Sequence, residues 1–227
     1  MMRWIAASLV LALGACTNNG FNPIVVAAVD QVNPFDEEAA AETPAGPAIT
    51  RESVMRADVA MIRARLVDDE SPTYLLAASN NGGYITYASQ LRQTMTLRGS
   101  RVTATRGLGW DLLSSTASTP DPLSQALPVT RWPAQVTRSY EFPADSPAGR
   151  IITYTCRFER GAAREFVILQ QRHQGIEMSE TCSNAEGSFE NLHFADAATG
   201  QVWRSLQWTG PQQGLVDLEI VLPYTGR

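Results

Sequence analysis

The sequence contains no lysine, and all 18 of its basic residues are arginine. That excludes a Schiff-base lysine, a P-loop lysine and a catalytic Ser–Lys pair. Histidine is nearly as scarce, with only His173 and His193 in 227 residues. Histidine-built metal sites and most acid–base sets are therefore poorly supplied. No Gly-x-Ser-x-Gly nucleophile elbow occurs, and Gly107-Leu108-Gly109 lacks the third glycine of a dinucleotide cradle. No set of cysteine, histidine and acid has metal-ligand spacing, so neither a metal nor another cofactor is expected. Positive charge is in deficit, at a net −5, which argues against a nucleic-acid partner. The hydrophobic share of 44% is ordinary for a chain with a buried core.

The longest apolar run is short and sits at the start. Arg3 precedes Trp4-Ile5-Ala6-Ala7-Ser8-Leu9-Val10-Leu11-Ala12, which has the length of a secretory h-region and falls short of the ~20 residues a spanning helix needs. It ends in Leu13-Gly14-Ala15-Cys16, the pattern of a bacterial lipobox. On that reading Cys16 is diacylglycerated and becomes the first mature residue, and its acyl chains anchor the protein to a membrane. An ordinary signal peptide with a cysteine at the cut by chance is the alternative. Thr17 follows in place of Asp, which by analogy with Gram-negative sorting favours the periplasmic face of the outer membrane.

Only three cysteines are present. With Cys16 given to lipid, Cys156 and Cys182 remain in an oxidising compartment, which points to a disulfide worth about 3 kcal/mol. Two separate buried thiols are the alternative. Residues 1–15 read as the leader and 16–49 as an acylated cysteine and acidic Pro/Ala-rich tether, with an apolar patch at 24–29 of undecided role. Residues 50–227 read as one β-rich domain. The five acids of the tether account for most of the net negative charge, which leaves the domain close to neutral.

Within that domain, Thr50 with Ser53 marks a short helix start. Segments of five to eight residues alternate in period two and are separated by tight turns, such as Asn80-Asn81-Gly82-Gly83. Strands are expected at 60–66, 74–79, 84–87, 93–98, 101–105, 135–142, 151–158, 165–170, 175–182, 189–194, 202–208 and 215–222. Leu108–Leu113 reads as a short helix or turn. The fold class is all-β: an antiparallel meander forming a sandwich or curved open barrel, with one or two short helices. The acids offer no strong pair, since Glu177 and Glu180 lie three apart and face opposite ways on a strand. The tryptophans and tyrosines suit sugar rings, although filling a β core is the commoner use of such residues.

One stretch carries a resemblance. Phe189 to Phe194, followed by Trp203-Arg204-Ser205-Leu206-Gln207-Trp208-Thr209-Gly210-Pro211, resembles the C-terminal signature of YjbF/GfcB lipoproteins, the group 4 capsule polysaccharide lipoproteins. The likeness takes in Cys156 and Cys182 with Glu180, the hairpins from Tyr74 to Thr105, Gly107 to Leu113 and Asp121-Pro122-Leu123. It covers most of residues 51–227. His193 departs from the pattern, where an aromatic or bulky residue is expected. The resemblance implies a non-enzymatic accessory lipoprotein of exopolysaccharide or capsule assembly, with no catalytic residue to carry over. Its implied partners are outer-membrane β-barrel or periplasmic polysaccharide-export proteins, with the polysaccharide itself another candidate. Trp203, Arg204, Ser205, Gln207, Trp208, Gly210 and Pro211 are then structural or partner-binding residues. Two other readings stay open: a lipid or lipoprotein carrier with a cavity in a curved sheet, and a polysaccharide-trimming hydrolase.

Overall fold

The structure, a computed structural model, describes residues 49–66, 72–144 and 149–226. The leader, Cys16, the tether and the 24–29 patch lie outside the described residues. A single helix, α1 (Arg51–Ala57), opens the described chain. Thr50 Oγ1 accepts from Ser53 N, and Ser53 Oγ accepts from Thr50 N, so each side chain caps the other's backbone. Asp58 ends the helix in the left-handed region. Val54 is buried, and the Arg51 guanidinium donates to the carbonyl of Val221 at 2.7 Å, which pins α1 to the sheet.

Twelve strands follow among the described residues: β1 (Met61–Leu66), β2 (Thr73–Asn81), β3 (Tyr84–Ala88), β4 (Thr94–Arg98), β5 (Arg101–Arg106), β6 (Ser114–Ala117), β7 (Gln135–Phe142), β8 (Arg150–Ile168), β9 (Gln171–Asn184), β10 (Gly187–Ala195), β11 (Val202–Gly210) and β12 (Gly214–Leu222). They form one antiparallel sheet in the order β5-β4-β3-β2-β1-β12-β11-β10-β9-β8-β7-β6. Apart from the β1–β12 pairing, every neighbour is a sequence neighbour, so the meander expectation holds. The curl brings the edge strands β5 and β6 back together, and the sheet is a nearly closed barrel rather than a sandwich. Gly82 and Gly83, at φ 58° and 89°, make the two-residue turn from β2 to β3.

Of the two readings of Leu108–Leu113, helix or turn, the turn holds, because the Asp111 carboxylate accepts from the backbone N–H of Gly107 and Leu108. One local expectation is corrected. The strands expected at 151–158 and 165–170 are one 19-residue strand, β8, bent by a register shift between Arg160 and Ala163. It turns into β9 at Leu169-Gln170, which adopt φ 41° and 64° without any glycine or asparagine to announce the turn. The far half of this hairpin folds back over the outside of the sheet. There Phe166 meets Phe194 at 4.1 Å between ring centroids, and His173 meets Trp203 at 4.4 Å. The short strand β6 and a 3-10 turn at Val129–Arg131 carry no apolar pattern and were not expected.

Aromatic side chains fill part of the interior. Trp208 stacks on Phe189 at 4.2 Å and meets Tyr140, Phe142 and Tyr154 edge-on at 5.1 to 5.7 Å. Cys156 and Cys182 stand opposite each other on β8 and β9 and are joined by a disulfide.

Candidate functional site

Charge runs through the barrel interior as a chain of pairs. Arg101 on β5 binds Asp121 at 3.0 Å, and Asp121 binds Arg138 on β7 at 3.1 Å. Arg138 Nε then donates to Glu180 on β9 at 2.5 Å. The other oxygen of Glu180 accepts from Asn191 at 2.9 Å and lies 3.0 Å from His193 Nε2, both on β10. All six residues are buried. Burial alone raises the Glu180 carboxyl, but Arg138, His193 and Asn191 outweigh it and hold the group at about 2. The same opposition, with Arg138, Ser124 and Arg101 as partners, holds Asp121 below the usual carboxylate range. His193, where the family pattern suggests a bulky residue, is buried beside the Trp132–Phe158 pair, its ring tilted to both at 6.4 Å between centroids. Arg138 Nη1 and His193 Nδ1 have no hydrogen-bond partner among the described residues.

This chain also closes the barrel. The free edge of β5 is met by side chains where a strand ladder would otherwise be. Arg101 donates to Ser115 O at 2.9 Å and to Ser115 Oγ at 2.7 Å, while Ser115 Oγ donates to Val102 O. From the opposite wall, Gln207 Nε2 donates to Ser100 O and Gln207 Oε1 accepts from Val102 N. An edge that would otherwise present unpaired backbone groups is thereby satisfied.

The seven signature residues on and after β11 therefore do different jobs. Trp203 and Arg204 face outward, next to a register shift that pairs Ala195 with Val202. Trp203 packs on His173, and Arg204 forms a two-pronged pair with Asp217 at 2.9 and 3.0 Å. Ser205 Oγ accepts from Gln207, which spans the interior to β5, and Trp208 centres the aromatic cluster. Gly210 leaves room for Phe142, whose ring a Cβ would meet at 2.8 Å. Pro211 begins the turn to β12.

At the end of the barrel where the β2–β3 and β4–β5 turns lie, a cavity of about 250 Å³ opens among Asn80, Tyr87, Ser100, Leu123, Gln201 and Tyr224. Its floor is the segment after Asp121, pressed so close that a Cβ on Gly99 would lie 2.3 Å from Leu123 O. A second cavity of about 280 Å³ shares Pro223 and Tyr224 and runs beside Asp58 and Val59. Each taken alone falls below the ~300–1,000 Å³ of drug-sized sites.

Asp121 and Glu180 are both buried and both engaged by Arg138, whereas a glycosidase pair faces an open groove. Cys156, Glu180 and Cys182 cluster as metal ligands do, but both sulfurs are spent in the disulfide. Sequence reasoning missed Arg101, Arg138 and Asn191. One signal was available: Arg138 and Glu180 fall in phase with the inward apolar residues of their strands, where a charge needs a buried partner.

Comparison with known proteins places this architecture. No curated protein matches the chain significantly. Among solved structures, the hypothetical lipoprotein YmcC from Escherichia coli (K12) superposes with a TM-score of 0.67 at 21% identity, covering 78% of this chain and 90% of that one. At that identity the likeness is one of fold. The family described as "Group 4 capsule polysaccharide lipoprotein gfcB, YjbF" matches residues 33–221, which takes in the described strands up to the last residue of β12 and the whole buried charge chain, and the protein belongs to that family.

Proposed function

We propose that the protein is a non-enzymatic accessory component of exopolysaccharide or capsule assembly, held at the periplasmic face of the outer membrane. The family match over residues 33–221 carries this reading. The lipobox supports the anchor: Cys16 takes the acyl chains and residues 17–49 act as a tether that lets the domain reach away from the bilayer. The buried acids support a role without bond-breaking, because each is committed to an arginine. Its partners are an outer-membrane β-barrel protein or a periplasmic export protein of the same pathway. Deleting the protein and weighing secreted polysaccharide tests the role, and unchanged export rejects it. Cys16→Ala tests the anchor, with the expected outcome that labelled palmitate is no longer incorporated and the chain leaves the membrane fraction.

A further inference from the structure

Tyr224 stands at the meeting of the two cavities at one end of the barrel. The first is lined without a single charged side chain, in a protein whose domain carries 17 arginines. It combines two tyrosine rings, the amides of Asn80 and Gln201, and an aliphatic wall that includes Ile85. Among the described residues, the Tyr87 hydroxyl and Gln201 Oε1 have no hydrogen-bond partner, and Asn80 Nδ2 reaches Tyr224 Oη only at 3.4 Å. Burial, with Tyr224 as the secondary cause, pushes the Tyr87 phenol up to about 12, so it stays a neutral donor. An anionic ligand finds no cation here, and an acyl chain leaves the Tyr87 hydroxyl and Gln201 Oε1 unsatisfied. A ligand with apolar C–H faces and hydroxyl edges satisfies both kinds of surface.

We propose that this end of the barrel binds the polymer directly, with one uncharged sugar unit between Tyr87 and Tyr224 and the adjoining unit in the cavity beyond Tyr224. The inference rests on the proposed role in polysaccharide assembly and adds a contact that role does not require. Each cavity has the scale of one sugar ring, and the shared tyrosine gives two successive rings a common stacking face. The Asp58 carboxylate beside the second cavity is an acceptor for hydroxyls and repels a uronic acid there.

The test uses the full-length acylated protein in detergent micelles. The probe is a set of fragments four to six sugars long, released by mild acid from the polymer that the producing cells secrete. Calorimetric titration is expected to show binding that weakens at least about tenfold in Tyr224→Ala, equivalent to ~1.4 kcal/mol, and several-fold in Tyr87→Phe. Trp110→Ala is the control. Trp110 is exposed and hydrogen-bonds Gln213, at the far end of the nine-residue strand β12, about 30 Å away. Equal melting temperatures keep the comparison free of unfolding. Fragments that do not bind, that bind all four proteins alike, or that palmitate displaces overturn the proposal. If deletion abolishes export while fragments fail to bind, the site fails and the role stands. If deletion leaves export intact, the role itself fails.

Discussion

Arginine meets carboxylate on both surfaces of this sheet, and the two clusters differ in what they join. The inner chain, Arg101–Asp121–Arg138–Glu180, links β5, the segment after β6, β7 and β9, which are distant in sequence, and it closes the seam of the barrel. The outer ladder, Arg63, Arg65 and Arg204 with Asp217 and Glu219, joins β1, β12 and β11, which already share backbone ladders. Inner side chains are at most 6% exposed, whereas the outer arginines keep 16 to 27%. A buried pair repays its desolvation only through good geometry, and losing one member strands the other. The inner chain should therefore hold the fold together, while the outer ladder trims its stability.

Arg138→Ala is the hardest test of that difference. It leaves Glu180 in the interior without an arginine and Asp121 with Arg101 alone, and should cost about 3–5 kcal/mol by chemical denaturation. Replacing both members, as Arg138→Met with Glu180→Leu, should recover much of the loss. If the single variant costs no more than a surface pair, the inner chain is not what holds the seam. Acid separates the clusters a second way. The Glu180 carboxyl is depressed to about 2 from 4.5, so its contribution is present above pH 4.5 and fades as pH falls toward 2. Glu219 shifts the other way, because burial outweighs Arg63 and Arg204 and raises it. Its contribution is present below the unfolded value and is lost as pH rises. Glu180→Gln should thus flatten the acid limb of stability, by a few kcal/mol between pH 5 and pH 2, and Glu219→Gln should steepen it.

The comparison also explains what could be read beforehand. Class, meander and most strands were legible, because each strand from β1 to β5 and from β10 to β12 keeps its own alternation and its own turn residues. The β8–β9 hairpin was not, because Leu169-Gln170 adopt positive φ without the residues that advertise it. β6 was missed for a different reason. Ser114-Ser115-Thr116-Ala117 has no apolar phase; it pairs with β7 on one side, and its contacts with β5 on the other exist only after the sheet curls. The outer ladder falls on the polar phase of its strands, where charge is expected. The inner chain lies in the apolar phase, so its pairing is a tertiary fact that no local pattern contains.

Gln207→Leu probes the seam without touching a charge. It leaves Val102 N and Ser100 O without their partners at the β5 edge, and should cost about 1–3 kcal/mol. Amide hydrogen exchange should localise the damage, with Val102 losing protection while β10 to β12 keep theirs. Uniform loss of protection would mean that the edge is held by something other than this amide. On the outer face, Arg204→Met should cost about 1–2 kcal/mol, since the two-pronged bond to Asp217 is charge-assisted and mostly buried.

Arg63→Met is expected to do least. Arg63 pairs with Glu219 at 2.9 Å, yet its side chain is 27% exposed, and Arg204 stands 3.5 Å from the same carboxylate. Removing it therefore leaves Glu219 with a second arginine, which is the protection that Glu180 lacks if Arg138 is lost. The cost should be about 0.2–1 kcal/mol and should shrink further in 1 M salt, where the screening length falls to ~3 Å. The cost of Arg138→Ala should stay nearly constant over the same salt range, because solvent ions do not reach the barrel interior. A salt response of equal size in both variants would place the two clusters in the same dielectric and remove the distinction between them.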